Sequence, residues 1–331
     1  MRAFVITGPG EASVQEVTPP VPGAGEVVVA VERAGVCGTD MEFYSGEMSY
    51  LHTGQASYPI RIGHEWCGTV VELGPGVDPG WLGKRVTGDT MLGCGHCERC
   101  LAGRQHLCAD RYEIGIRRGW PGALAERLPV PERALLSLPD GVDATLGALV
   151  EPGGNALRAV RAAGLAPGER LLVLGPGTIG LLAAFIAAAQ GAEVHVLGQT
   201  VDFARKVGVT NAWTAAELPA LRWDAIIDAS TGAELPALAV DLVEPGRRVV
   251  YIGISERPSP VDSRQLVFKH VTAVGILSGS GGLAGTIDLY ASGTVDPRPL
   301  VGATVGLAEA ADVLAGKRGT AAPKIHVDPL K

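Results

Sequence analysis

The spacing of hydrophobic and polar positions changes at about residue 150. Before that point, short alternating runs rich in β-branched residues, at 26–32 and 68–73, lie between glycine and proline clusters at 19–25 and 74–80. Alternation with a period of two predicts strands with one buried face, and such clusters predict the turns that join them. The first part of the chain is therefore predicted to form a mostly β domain.

After residue 170, apolar strands alternate with helices. The pattern predicts strands at 171–174, 193–197, 225–229 and 249–252, a helix at 179–190 and another centred on 203–207; near the end it predicts a short helix at 308–315 and a final strand at 324–327. Strands and helices in alternation form a parallel sheet with helices on both faces. The predicted fold class is therefore α/β, with a mostly β domain beside a doubly wound parallel sheet.

Composition excludes several kinds of partner. The chain has 331 residues and a formal net charge of -7, without a block of like charge, so neither a nucleic acid nor an anionic membrane is an expected partner. The most apolar run, 181–189, is too short to span a bilayer, and the N-terminus lacks the features of a signal peptide. We therefore expect a cytoplasmic protein, in which the six cysteines serve metal binding or catalysis before disulfides.

Four of the cysteines lie in one short segment, GCGHCERCLAGRQHLC. Cys94, Cys97, Cys100 and Cys108 have the spacing of a tetrahedral zinc site, and four thiolates leave no open position for a substrate. A structural zinc is the favoured interpretation. An iron–sulfur cluster and four unrelated buried thiols are the alternatives.

A glycine-rich turn joins the first predicted strand of the sheet to a long helix. It consists of Gly175, Pro176, Gly177, Thr178, Ile179 and Gly180. Glycines in such a turn let backbone N–H groups and the helix N-terminus approach a pyrophosphate, so the turn predicts a dinucleotide cofactor. An ordinary strand-to-helix turn is the alternative.

The end of the second strand of this sheet bears on the choice of cofactor. An acid usually lies there and accepts the ribose 2′-hydroxyl of NAD. This chain has Gln199 and Thr200 at that point, with Asp202 and Arg205 in the following helix. Without the acid, NAD loses a contact and a 2′-phosphate loses a repulsion. The sequence therefore favours NADP over NAD, with Gln199, Thr200 and Arg205 as its neutral or cationic partners.

Three separated stretches supply a second set of metal ligands. Cys37 lies in GVCGTD, His64 in RIGHEWCG and Glu151 in VEPGGNA. A catalytic zinc usually has three protein ligands and one open position, and these residues offer sulfur, nitrogen and oxygen. Glu65 beside the histidine is either a further ligand or an outer-shell partner.

These motifs together resemble the zinc-dependent medium-chain alcohol dehydrogenase superfamily, in particular its polyol, threonine and glucose dehydrogenase branch. The resemblance extends over most of the chain and includes the later stretches DAIIDASTG, LVEPGRRVVYIG and KHVTAVGILSGSGG. It implies a GroES-like catalytic domain at 1–149 and 287–331, which carries both zincs, and a Rossmann domain at 150–286. It also implies a homotetramer or homodimer.

The resemblance assigns roles to individual residues. Cys37, His64 and Glu151 take the positions of the family's ligands, and Glu65 matches its adjacent acid. It makes Asp40 the carboxylate that orients the histidine and Thr39 the hydrogen-bond partner of the substrate oxygen. Many relatives have a proton-relay histidine where this chain has Glu42, which is expected to act as a relay, to bind a substrate hydroxyl or to be an exposed acid.

The expected activity is hydride transfer between a secondary alcohol and NAD(P). Zinc stabilises the alkoxide of the bound alcohol, and the nicotinamide accepts the hydride. The expected substrate is a polyol, sugar or cyclitol-like metabolite. Two alternatives are an L-threonine 3-dehydrogenase, favoured by GGNA after VEP but not by the missing relay histidine, and a non-catalytic member that binds zinc or cofactor.

Overall fold

The computed structural model describes residues 1–255 and 257–331. The strands are β1 Arg2–Gly8, β2 Glu11–Glu16, β3 Glu26–Val36, β4 Glu65–Leu73, β5 Arg85–Gly88, β6 Met91–Leu92, β7 Tyr112–Glu113, β8 Arg127–Pro131, β9 Leu135–Ser137, β10 Arg170–Leu174, β11 Glu193–Leu197, β12 Ala212–Trp213, β13 Trp223–Asp228, β14 Val243–Tyr251, β15 Thr272–Gly275, β16 Val301–Gly306 and β17 Lys324–Asp328. The helices are α1 Gly38–Ser45, α2 Ser49–His52, α3 Glu98–Leu101, α4 Ala144–Ala148, α5 Val150–Ala163, α6 Thr178–Ala189, α7 Asp202–Lys206, α8 Leu235–Leu242, α9 Ser263–Phe268, α10 Leu283–Ala291 and α11 Ala310–Leu314.

The chain divides into two compact units. The first comprises Met1–Glu151 and Val301–Lys331, and the second comprises Pro152–Leu300. The second unit thus extends beyond residue 286, where the sequence placed its end. The reason is the packing of α10 on α5: a Cβ added at Gly153 would lie 2.3 Å from the Tyr290 hydroxyl and 2.5 Å from Thr286 Cγ2. This contact keeps α10 with the second unit.

The first unit is built on a seven-stranded sheet. Its strands follow the order β16-β17-β3-β4-β5-β9, and β8 also pairs with β3. Strand β3 pairs antiparallel with β4 on one side and with β17 on the other, so that Gly35 lies opposite both Glu65 and His326. Alternating apolar residues of β3 and β4 face a core that includes the fully buried Trp66 and Phe43. Residues distant in sequence therefore meet at the end of β3.

The second unit contains a six-stranded parallel sheet. Its order is β12-β11-β10-β13-β14-β15, and all five strand pairs are parallel. Apolar residues of β10 and β13 are completely buried, as expected for strands covered on both faces. The strand order reverses between β10 and β13, and a ligand usually binds at the carboxyl ends of strands at such a point. The predicted α/β fold class is confirmed.

No helix within residues 1–255 and 257–331 has both the length and the apolar character needed to cross a bilayer.

Candidate active site

The four-cysteine segment folds into a compact lobe around its sulfur atoms. Cys94 Sγ lies 3.9 Å from Cys100 Sγ, and Cys97 Sγ lies 3.8 Å from Cys108 Sγ. A tetrahedral zinc with Zn–S bonds of about 2.3 Å separates its sulfurs by roughly 3.8 Å. The four sulfurs all lie within 4.8 Å of one another, which suits one ion and leaves no room for a cluster of several irons. They form a structural zinc site.

Backbone N–H groups already support thiolates in this lobe. The N–H of Cys97 donates to Cys94 Sγ at 3.4 Å, and the N–H of Cys94 donates to Cys108 Sγ at 3.5 Å. Hydrogen bonds from the backbone of His96 and Cys97 lower the pKa of Cys94 to about 6. Zinc binds the thiolate form, which these hydrogen bonds favour at Cys94.

A second group of ligand atoms lies at the end of β3. Cys37 immediately precedes α1, His64 immediately precedes β4, and Glu65 is the first residue of β4; their ligand atoms are all within 4.8 Å of one another. His64 and Glu65 are buried, and Cys37 is partly exposed. Sulfur, nitrogen and oxygen donors with one accessible side form a catalytic type of zinc site. Glu151 lies outside this group, buried in the first turn of α5.

Asp40 fixes the geometry of this second group. Its fully buried carboxylate accepts hydrogen bonds from the N–H of Cys37 at 2.9 Å and the N–H of Gly63 at 3.1 Å. The same carboxylate lies 3.6 Å from His64 Nδ1, which has no other partner among the described residues. One side chain thereby connects the two chain segments that carry Cys37 and His64.

The charges around His64 favour a cation. Burial lowers the pKa of its ring, but the charge of Asp40 and hydrogen bonds to Asp40 and Cys37 outweigh that effect and raise the pKa well above its ordinary value. A zinc ion supplies positive charge at the same place without requiring a proton. The residues present therefore suit the metal.

Lys324, which the sequence did not suggest as a site residue, completes this group. Its ammonium donates to both oxygens of Glu65 at 2.6 and 2.7 Å and to the carbonyl of Val36 at 2.9 Å. Burial disfavours the charge of Lys324, but Glu65 and Cys37 outweigh burial and raise its pKa. A lysine at the start of the predicted final strand was the available sequence signal.

Two further predicted residues lie on α1. Thr39 is half-buried in the first turn, two residues after Cys37, and Glu42 is exposed one turn later. Thr39 is thus nearer in sequence to the ligand Cys37 than Glu42 is, and it is less exposed. This position suits Thr39 for contact with a substrate at the metal.

The glycine-rich turn has the geometry that a pyrophosphate requires. Gly175 has φ of 95°, in the left-handed region, and a Cβ at Gly180 would lie 1.9 Å from the carbonyl oxygen of Gly175. Gly177 precedes α6, with no side-chain cap and with open space within 4 Å of its Cβ position. Thr178 and Ile179 begin the first turn of α6, where backbone N–H groups have no acceptor within the helix. The residues present fit a dinucleotide.

Of the three residues that the sequence proposed as cofactor partners after β11, one is bound to other groups of the protein. Gln199 and Thr200 are exposed there. Arg205, however, donates to the carbonyl of Ala212 at 2.8 and 3.2 Å and lies 3.3 Å from Glu217. The structure therefore leaves Gln199 and Thr200 free for a cofactor, while Arg205 is held elsewhere.

Comparisons with known proteins agree with this geometry. Residues 23–140 match the alcohol dehydrogenase GroES-like domain, and residues 178–292 match the zinc-binding dehydrogenase family. The chain is 32% identical over 271 residues to an L-threonine 3-dehydrogenase of Coxiella burnetii (strain RSA 493), with 78% of each chain covered.

Two crystal structures are similar over almost the whole chain. One is a short chain alcohol dehydrogenase from E. coli CFT073 complexed with NADH, at a TM-score of 0.90 and 26% identity. The other is a zinc-binding dehydrogenase from Sinorhizobium meliloti 1021 bound to NADP, at a TM-score of 0.90 and 29% identity. In both comparisons 99% of each chain is covered.

The chain belongs to the zinc-containing medium-chain alcohol dehydrogenase superfamily. It is a zinc-dependent, NAD(P)-linked dehydrogenase with a small-molecule alcohol as its substrate. The predicted family and enzyme class are thus confirmed, and the non-catalytic alternative is set aside.

Proposed function

We propose that this enzyme oxidises a secondary alcohol of a polyol, sugar or cyclitol-like metabolite and reduces the corresponding ketone. The observation that supports the proposal most directly is the grouping of Cys37, His64 and Glu65 around Asp40, in a chain that also has the glycine-rich turn. A zinc ion held by Cys37, His64 and Glu65 would supply Lewis acidity there, which favours ionisation of the substrate hydroxyl. The nicotinamide cofactor exchanges the hydride.

Each residue has a defined part in this proposal. Cys37 and His64 hold the metal, and a carboxylate completes the set; Glu65 lies in the group and Glu151 remains a further candidate. Asp40 orients His64. Thr39 accepts the alcohol proton through its hydroxyl and passes it outward, and Glu42 receives it at the surface.

The cofactor proposed is NADP in preference to NAD. Its support is now narrower than the sequence suggested, because Arg205 is bound to Ala212 and Glu217. What remains is the absence of an acid at Gln199 and Thr200, which removes the repulsion that a 2′-phosphate would meet. We further propose a cytoplasmic homotetramer or homodimer.

The proposed activity is tested with a panel of polyols, aldoses, cyclitols and L-threonine, each with NAD and NADP. We expect turnover of at least one polyhydroxylated substrate, faster with NADP, and its loss in Cys37→Ala. Cys67→Ala is the matched control, since Cys67 is a buried thiol of the same unit outside the ligand group. Turnover in Cys37→Ala equal to that of the wild type contradicts the proposed site.

A second candidate is L-threonine 3-dehydrogenase. It is favoured by 32% identity to enzymes of that name over 78% of the chain. A kcat/KM for L-threonine well above that for every polyol in the panel decides for this candidate.

A further inference from the structure

A cluster of charged residues lies on β7 and on the residues that flank it. Glu113 is buried and accepts a hydrogen bond from Arg111 Nε at 2.7 Å. The Tyr50 hydroxyl lies 3.4 Å from the same carboxylate oxygen. Arg117 Nη1 lies 3.9 Å from that oxygen, too far for a hydrogen bond. One carboxylate is thus shared by two guanidinium groups, and Arg111 has the shorter contact.

Arg117 has unused hydrogen-bonding capacity. Its side chain retains only 10% of its accessible surface, and both Nε and Nη1 are buried without any hydrogen-bond partner among the described residues. The guanidinium carbon lies 5.8 Å from the centre of the Tyr50 ring. A cation–π contact stabilises the charge but leaves these N–H groups unpaired. Buried donors of this kind normally have a partner, and residues 1–255 and 257–331 supply none here.

The cluster also carries an excess of positive charge. Arg111 and Arg117 together bring two charges, and Glu113 brings one of opposite sign. The neighbouring Arg118 is directed to Asp110, 3.8 Å away, and is more exposed. An anion bound beside Arg117 would balance the remaining charge, and a planar guanidinium suits the oxygens of a carboxylate or phosphate.

The position of the cluster connects it with the catalytic site. Gly115, two residues before Arg117, packs against Gly63: a Cβ at Gly115 would lie 2.6 Å from the carbonyl oxygen of Gly63. Gly63 directly precedes the ligand His64. Tyr50 belongs to α2, the helix that follows the Asp40-bearing α1. The segment that carries Arg117 therefore packs, through Gly115, against the backbone that presents His64.

We propose that Arg117 binds an anionic group, a carboxylate or phosphate, on the alcohol substrate. This inference rests on the proposed function and specifies its substrate class: a hydroxy acid or a phosphorylated polyol whose hydroxyl reaches the zinc. Arg117 donates to the anionic oxygens, and Arg111 keeps Glu113 from neutralising it. Glu113 anchors Arg111 by accepting the hydrogen bond from its Nε.

The kinetic test compares a hydroxy acid, a polyol phosphate and an uncharged polyol in Arg117→Gln and wild type. We expect the preference for the better anionic substrate over the uncharged one, as a ratio of kcat/KM, to fall by about 10- to 100-fold. Arg118→Gln is the matched control and should retain the wild-type ratio. An unchanged ratio in Arg117→Gln overturns the proposal; a drop confined to the carboxylate or to the phosphate substrate identifies the group.

A binding test separates this inference from the proposed function. Inorganic phosphate and acetate are titrated into the zinc-loaded enzyme with cofactor saturating, so that the glycine-rich turn is already filled, and thermal stabilisation is recorded. We expect at least one of these anions to stabilise wild type and Arg118→Gln but not Arg117→Gln. Equal stabilisation of all three proteins, or none in the wild type, overturns the inference even if alcohols are oxidised.

Arg117→Lys covers the case in which Arg117→Gln does not fold. It retains the charge but not the planar fork, so we expect anion binding weaker than wild type by about tenfold. Wild-type affinity in this variant contradicts recognition by the guanidinium. If no alcohol is oxidised while the anion still requires Arg117, the proposed function fails and the anion site stands.

Discussion

At the scale of single residues, the buried carboxylate of Glu65 faces two positive charges, the zinc position and the ammonium of Lys324. Glu65 offers its carboxylate both to the zinc position and to the ammonium of Lys324. Because a carboxylate has two oxygens, it is able to face both cations at once. Removing either partner leaves the other as a buried charge, which is costly.

We expect Lys324→Met to lower the free energy of unfolding of the zinc-free enzyme by about 3–5 kcal/mol. The loss should be smaller with zinc bound, since the metal then compensates Glu65. Denaturant unfolding with and without zinc measures both values. Lys317→Met is the matched control: its partner Asp312 lies 3.0 Å away at the surface, so its loss should stay below about 1 kcal/mol. Equal losses in the two variants contradict the expectation.

His326 gives the protein a specific sensitivity to acid. The ring is fully buried, neither nitrogen has a partner among the described residues, and burial together with Lys324 and Arg33 lowers its pKa to about 3. In the unfolded chain a histidine titrates near pH 6.5. Between these values the unfolded state binds one more proton than the native state, so stability falls as the pH falls.

His326→Leu should therefore flatten the pH dependence of stability. The wild type loses up to about 1.4 kcal/mol per pH unit from this group as the pH drops below about 6.5, and the variant should lack that contribution. Chemical denaturation at pH 7 and pH 5 measures the difference. His52→Leu removes an exposed histidine and should leave the wild-type slope in place. A variant slope equal to that of the wild type would show that His326 does not contribute.

At the scale of elements, two glycines in the turn between β10 and α6 have different roles, one in packing and one in access of the cofactor. Gly180 has no room for a side chain because the Gly175 carbonyl lies 1.9 Å from its Cβ position, whereas Gly177 faces open space. Gly180 permits close packing of strand and helix. Gly177 permits approach of the cofactor.

We expect Gly180→Ala to lower the free energy of unfolding by about 1–3 kcal/mol, through overpacking. Gly177→Ala should change stability by less than about 0.5 kcal/mol but weaken cofactor binding at least about tenfold, because the new methyl group occupies the approach to the helix N-terminus. Thermal unfolding and cofactor titration distinguish the two effects. The reverse pattern, a destabilised Gly177→Ala with normal cofactor affinity, would contradict this assignment.

At the scale of the whole molecule, the first unit is discontinuous in sequence. Its C-terminal part supplies β16, β17 and α11, and with them core residues such as Leu314 and Val327. Strand β17 also carries Lys324 to Glu65, across 259 residues of sequence. The catalytic half of the enzyme therefore depends on the last strand of the chain.

Ending the chain after Leu300 should consequently unfold the first unit and abolish binding of the catalytic zinc. A chain ending at Pro329 retains β17 and should bind two zincs. Elemental analysis and circular dichroism of the two truncated proteins measure this. Two zincs per chain in the shorter protein would show that the C-terminal strands are dispensable.

Features that depend on neighbouring residues could be predicted from the sequence. The four cysteines could be assigned to one zinc site because all lie within 15 residues. The glycine turn follows from local backbone requirements. The alternation of strands and helices likewise predicted the parallel sheet. The extent of the second unit did not follow from the sequence, since the packing of α10 on Gly153 is a tertiary contact.

The sequence by itself determined the family, the fold class, the cysteine lobe and the residues from which a catalytic zinc site is drawn. The tertiary structure alone decided that Lys324 pairs with Glu65, that Arg205 binds Ala212 and that Arg117 has donors without a partner in the described part of the chain. The physical reason is the sequence separation of the residues that interact. Backbone conformation and ligand spacing are fixed by a few consecutive residues, whereas the partner of a buried charge depends on strand register and packing across the whole fold.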